Sequence, residues 1–218
     1  MDWTAPIDIY CERLGAGLWA EPLNAVSNLA FILAALLVWP RARAAPGGAL
    51  LCAILFAIGV GSGLFHTVAT AWASAADVVP IGLFILTYLY LTNRHILRLG
   101  RGMATLATLL FLPYAALLTP ILDQTPFLRI SNFYWTVPLL LLAYAAGLRR
   151  RAPDVARGFV AGAALLAVSI TLRSLDQSLC ARWPVGTHFV WHLLNAAMLG
   201  TMIHVYAAHV LAARGSAR

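Results

Sequence analysis

The chain contains six histidines, and three of them have neighbours and spacings that suit metal chemistry. His188 and His192 lie four apart in THFVWH. On a helix that spacing puts both imidazoles on one face, one turn apart, which is how helices offer two ligands to zinc. His66 ends the apolar run GVGSGLFH (59–66). If that run and the one starting near His188 cross a membrane in opposite directions, all three rings fall at a similar depth. Three imidazoles from two helices make the ligand set of a catalytic zinc site, with the fourth position left for water. Two other uses stay open at this point: buried histidines bonded to their neighbours, and a bis-histidine haem. A haem would need His66 with only one of the other two, because neighbours on one helix cannot lie on opposite sides of one iron. Zinc uses all three. His95, His204 and His209 read as solvated or packing residues nearer the other ends of their segments.

Oxygen-bearing side chains gather at the same depth. Ser62 precedes His66 by four residues and shares its face. Asp77 opens the third apolar stretch with Pro80 just behind it, so helix N-capping is its plainer role. Asp176 closes the sixth stretch three residues after Arg173, where an intrahelical ion pair is the plainer role. Gly59, Gly61 and Gly63 let backbones approach closely around Ser62 and His66.

The elements that must position these groups are membrane helices. Of 218 residues 61% are hydrophobic and 11% charged, against roughly 45–50% and about 25% in an ordinary soluble domain. A globular core cannot hide that much apolar surface, so lipid is the natural solvent. A disordered chain, a disulfide scaffold and a soluble nucleic-acid binder are excluded. Seven apolar stretches stand between short polar breaks, over 22–40, 48–66, 77–93, 103–120, 132–148, 158–176 and 187–211. The fold class is therefore all-α, a seven-transmembrane helix bundle over 22–211. A polar N-terminal segment, 1–21, precedes it and a short tail, 212–218, follows. The net charge of +7 comes from 15 basic residues, all Arg, against eight acids. Eleven Arg fall at one set of segment ends (41, 43, 94, 98, 101, 149, 150, 151, 157, 214, 218) and four at the other (13, 129, 173, 182). The Arg-rich side is cytoplasmic by the positive-inside rule, so the N-terminus lies outside and the C-terminus inside. Trp19, Trp72, Trp135 and Trp183 then sit at the outer boundary and Trp39 at the inner one. Residues 1–21 lack the apolar run of a signal peptide. Cys52 reads as packing. Cys11 and Cys180 both map outside, where a disulfide is chemically allowed and would tie the N-terminal segment to the loop before the last helix.

DIYCER (8–13), AEPLNAVSNLAF (20–31), GVGSGLFHTV (59–68), DVVPIG (77–82), RSLDQSLC (173–180) and HFVWHLLNAAMLG (188–200) together resemble the alkaline ceramidase family. That family sits in a wider group of seven-span hydrolases with the progestin and adiponectin receptors. The resemblance implies a zinc-dependent amidase that cleaves ceramide to a sphingoid base and a fatty acid. It makes His66, His188 and His192 the Zn²⁺ ligands, with Ser62 and Asp77 as catalytic companions. It also implies Ca²⁺ at an acidic N-terminal motif, for which Asp8, Glu12 and Glu21 are the candidate ligands. The family's Asp-Trp-Cys-Glu-x-Asn stands here as Asp8-Ile9-Tyr10-Cys11-Glu12-Arg13-Leu14, with one residue inserted and Leu14 in the Asn place. Asn24, Ser27 and Asn28 match the family and read as interhelical hydrogen-bonding residues.

The expected partners are a membrane lipid substrate, ceramide or another N-acyl lipid, and the bilayer itself; no nucleic acid and no protein partner is expected. The alternatives are a seven-span receptor with structural zinc, a zinc-dependent lipid esterase, and a proton-coupled transporter using Asp77, Asp176 and the histidines as a relay. Ala- and Arg-rich, Lys-free composition points to a multi-pass protein of a bacterial inner membrane, with the zinc site toward the periplasm.

Overall fold

The computed structural model describes residues 2–215. It is all-α among them, apart from one isolated bridge between Pro6 and Thr70. Six helices are long and apolar enough to cross a membrane: α1 (Pro22–Ala42), α2 (Gly48–Val68), α3 (Ala71–Ile96), α4 (Arg101–Leu122), α6 (Pro153–Leu179) and α7 (His188–Gly215). A shorter apolar helix, α5 (Asn132–Leu148), lies between α4 and α6. Leu37, Leu117, Leu33 and Leu36 are exposed on the outside of the bundle, as a lipid-facing surface requires. The tail expected over 212–218 is helical as far as Gly215, and 216–218, with Arg218, lie outside the described residues.

Local sequence accounts for the ends. α1 and α6 begin with Pro22 and Pro153, which fit a first helical turn because the proline's missing N–H has no intrahelical partner there. α1 breaks its regular pattern once, at Asn28. α3 ends in a π-helical turn, Thr92–Ile96. The break expected over 67–76 is shorter than the sequence suggests. Ala-rich residues from Ala71 onward continue the helix, so Asp77 lies in its second turn and does not cap it.

Each helix packs against its neighbours in the chain, and α7 closes the bundle against α1 while also touching α2. The end of α2 therefore meets the start of α7. At that end Pro80 cannot donate to the Ala76 carbonyl four residues before it. Gly61 of α2 sits directly against that carbonyl, so close that a Cβ at this position would lie 2.0 Å from the Ala76 oxygen. The missing side chain brings Ser62 and His66 alongside Asp77.

Residues 2–21 form no helix, yet part of this segment is core: Tyr10, Cys11, Glu12 and Arg13 are buried, as is Glu21. The backbone N–H groups of Ile7 and Ala71 donate to the carbonyls of Ala69 and Ala5, respectively. A disulfide joins Cys11 to Cys180, with 5.3 Å between the Cα atoms, and fastens the segment to the end of α6. Cys52 is free and buried.

Candidate metal centre

His66 at the end of α2 and His188 and His192 in the first turns of α7 converge in the interior. Their exposures are 0%, 2% and 1%, and their candidate ligand atoms all lie within 4.8 Å of one another. Ring centroids are 5.1 Å apart for His66–His188, 4.7 Å for His66–His192 and 4.6 Å for His188–His192.

Hydrogen bonds behind the rings fix which nitrogens face the centre. His66 Nδ1 bonds Glu21 Oε2 at 2.6 Å, so it carries the proton and leaves Nε2 with a lone pair. The Ser27 hydroxyl donates to the Asn24 carbonyl at 2.9 Å and so accepts from His192 Nδ1 at 2.7 Å. That leaves His192 Nε2 as an acceptor. His188 stacks on Tyr10 with centroids 3.7 Å apart. His66 Nε2 and His188 Nδ1 are buried with no hydrogen-bond partner. Unpaired nitrogens in a buried interior are costly, and a shared divalent cation is the group that would satisfy them. The donor set fits zinc: three neutral imidazoles, with outer partners of the kind that orient metal ligands.

Two buried carboxylates hold the helix starts around these rings. Asp176 accepts from the backbone N–H of Thr187 at 2.7 Å and His188 at 3.0 Å, which anchors the start of α7, and from Cys11 N at 3.0 Å. Its expected pairing with Arg173 does not form. Gly186, at φ +65°, makes the turn into α7 where a Cβ would strike the Asp176 carboxylate. Glu12 plays the matching part at α1, accepting from Leu23 N at 2.6 Å and Asn24 N at 2.8 Å. Burial pushes the Glu21 carboxyl up, but the hydrogen bonds from His66, Asn24 and Arg13 outweigh it and hold the group below its ordinary value.

Ser62 is buried and Asp77 half-buried. The Asp77 carboxyl lies within electrostatic reach of His66, Ser62 and Arg173. Arg173 donates to Ser131 Oγ at 2.8 Å and lies over the Tyr134 ring, 5.1 Å from its centroid. Of the residues expected to act together, the structure gathers His66, His188 and His192 into one centre with Ser62 and Asp77 at its edge.

The candidate calcium ligands are arranged differently. Both oxygens of Glu12 accept backbone N–H groups, and both oxygens of Glu21 have donors as well: Arg13 Nε on Oε1, and His66 and Asn24 on Oε2. Asp8 is exposed, and among the described residues only the three histidines form a metal-ligating group. Ca²⁺ takes six to eight oxygen ligands, so Asp8, Glu12 and Glu21 do not fit that ion. Carboxylates near a chain terminus read as ligands in sequence because their N–H partners, on other elements, are not visible there.

Sequence reasoning gave no role to Arg13 or Tyr10 beyond orientation and motif matching, and gave Arg173 only the ion pair with Asp176. The identity of Glu21 and Ser27 as partners of the histidines was also missed. The Glu21–His66 pairing joins residues 45 apart, and only the closure of α2 on the N-terminal segment brings them together.

Below the centre lie two small, largely apolar cavities. One cavity is lined by Phe31, Ile81, Tyr134 and Trp191, and a second by Phe84, Tyr88, Leu140 and Met202; both share Ile85, Val137, Met198 and Leu199. Together they follow α7 inward from the level of His192.

Comparison with protein families finds one described as Ceramidase, matched over residues 4–217. Comparison with curated proteins returns no match.

Proposed function

This chain belongs to the ceramidase family, and from that premise we propose that it is a zinc-dependent membrane amidase acting on the N-acyl bond of ceramide or a related N-acyl lipid. The observation that carries the reading is the set of three buried imidazoles with ligand atoms within 4.8 Å. Zinc held by His66, His188 and His192 supplies Lewis acidity and lowers the pKa of water toward ~7. Asp77 accepts the proton of the attacking water and returns it to the leaving amine nitrogen. Ser62 donates a hydrogen bond to the carbonyl oxygen as charge develops on it. Water adds across the amide: the C–N bond breaks, the acyl carbon gains the hydroxyl and the amine gains the proton. The small apolar cavities along α7 mark the path proposed for the acyl chain. His192 to Met202 spans ten residues, about 15 Å of helix.

The membrane setting completes the proposal. α5, at 17 residues, is about 26 Å long and close to the thickness of the hydrocarbon core, so it serves as a seventh span. In this reading the N-terminus and the metal centre lie outside, which the Arg distribution supports, and the Lys-free, Ala- and Arg-rich composition supports a bacterial inner membrane with the centre toward the periplasm. Incubating purified protein with ceramides, N-acyl amines and O-acyl lipids, with products read by mass spectrometry, tests the substrate class. Free fatty acid and amine from N-acyl lipids are expected. Release from O-acyl lipids alone would make the protein an esterase, and release from neither would leave a receptor with structural zinc.

A further inference from the structure

We propose that Arg13 stands where the family's calcium ion would be, so that this protein works without calcium and its guanidinium positions His66 through Glu21. Arg13 is 7% exposed. Its Nε pairs with Glu21 Oε1, Nη1 donates to the Gly15 carbonyl at 3.2 Å and Nη2 to the His66 carbonyl at 3.2 Å. One planar cation thus joins the N-terminal segment, the start of α1 and the end of α2, the three pieces that meet behind His66. Calcium does this kind of work by gathering oxygens from separate elements. Here the oxygens are gathered by N–H donors instead, and every Glu12 and Glu21 carboxylate oxygen already faces one.

The sequence agrees. The residue in the place of the motif's Asn is Leu14, which is 88% exposed and has no oxygen to offer from its side chain. The other end of the Glu21 carboxylate holds His66 Nδ1 at 2.6 Å. Arg13 therefore fixes the carboxylate that fixes the imidazole, and it acts on the metal centre only through these partners. Arginine suits the task because its fork sends several donors in set directions from one charge.

The test uses the full chain in detergent, freed of calcium on a chelating resin and held at constant free zinc. The zinc readout rests on the three-histidine zinc proposal, whereas the calcium and melting readouts stand without it. For the unaltered protein, adding CaCl₂ to about 5 mM should move the melting temperature by less than about 1 °C. Elemental analysis should find no bound calcium, and fatty-acid release should not change. Arg13→Ala should melt roughly 10 °C lower, because it leaves a buried carboxylate without its cation. It should also bind zinc about tenfold more weakly or worse, with kcat recovered at saturating zinc. Arg13→Lys should recover part of the zinc affinity by keeping the charge while losing the fork. Calcium that co-purifies at one per chain, or that raises the melting temperature of the unaltered protein by several degrees, overturns the substitution of Arg13 for the ion. Lowered melting with zinc affinity unchanged in the folded Ala and Lys variants makes Arg13 a strut and overturns the positioning role. If Arg13→Ala does not fold, the calcium measurements on the unaltered protein and the zinc affinity of Arg13→Lys decide the two halves.

Discussion

Ser27→Ala removes one oxygen, and its effect follows from the hydrogen bonds around it. The Ser27 hydroxyl accepts from His192 Nδ1 at 2.7 Å and donates to the Asn24 carbonyl at 2.9 Å. His192 is 1% exposed, so water cannot readily replace the lost partner. An unpaired buried donor costs about 1–3 kcal/mol. In the metal-bound protein the ring cannot turn to relieve this without giving up its ligand nitrogen. The metal-free protein can, so most of the cost falls on binding. With each 1.4 kcal/mol worth a factor of ten, zinc affinity should fall roughly 5- to 150-fold, in line with the 10–100-fold typical of lost outer partners. The assay is a competition titration against a chromophoric zinc chelator, with kcat measured again at saturating zinc. Weakened binding and a kcat within a few-fold of the unaltered protein are expected. A zinc affinity within twofold of the unaltered protein, in a variant that folds normally, refutes the assignment of His192 Nε2 as a ligand oriented from behind by Ser27.

Other substitutions probe other parts of the centre. Asp77→Asn should keep its zinc by elemental analysis and lose turnover by about 10²–10⁴-fold, the range for a lost general acid–base group. Gly61→Ala would put a Cβ 2.0 Å from the Ala76 carbonyl oxygen. It should push α2 and α3 apart and lower kcat while the three-histidine set still binds zinc. Cys11→Ser with Cys180→Ser should lower the melting temperature measured by tryptophan fluorescence, because the closure of a 169-residue separation is no longer imposed on the unfolded chain.

The helices were legible because lipid imposes a simple rule on their composition, and six of the seven apolar stretches lie within the apolar helices, the last beginning one residue early at Thr187. The exception, the start of α3, shows where that rule stops: Ala71 to Ala76, alanine apart from Trp72 and Ser74, read as a break but are helical by propensity. The convergence of His66, His188 and His192 was readable because two helix periodicities and one change of direction set their depth. The partners were not. Ser27 and His192 are 165 residues apart, and Asp176 caps α7 from the neighbouring helix. Such contacts follow from the way α7 closes on α1 and α6, and no local pattern records them. The N-terminal segment is the clearest case. Its charges read as a solvated stretch or as calcium ligands, yet Glu12 and Glu21 turn inward to meet N–H groups that only the assembled bundle presents.

X-ray absorption at the zinc edge of the purified, zinc-loaded protein tests the central claim most directly. One zinc per chain is expected, with three nitrogen ligands near ~2.0 Å and a lighter oxygen contribution, and the signal should be lost in His66→Ala, His188→Ala and His192→Ala. A spectrum dominated by sulfur or by water oxygens, or zinc retained in full by all three variants, would contradict it.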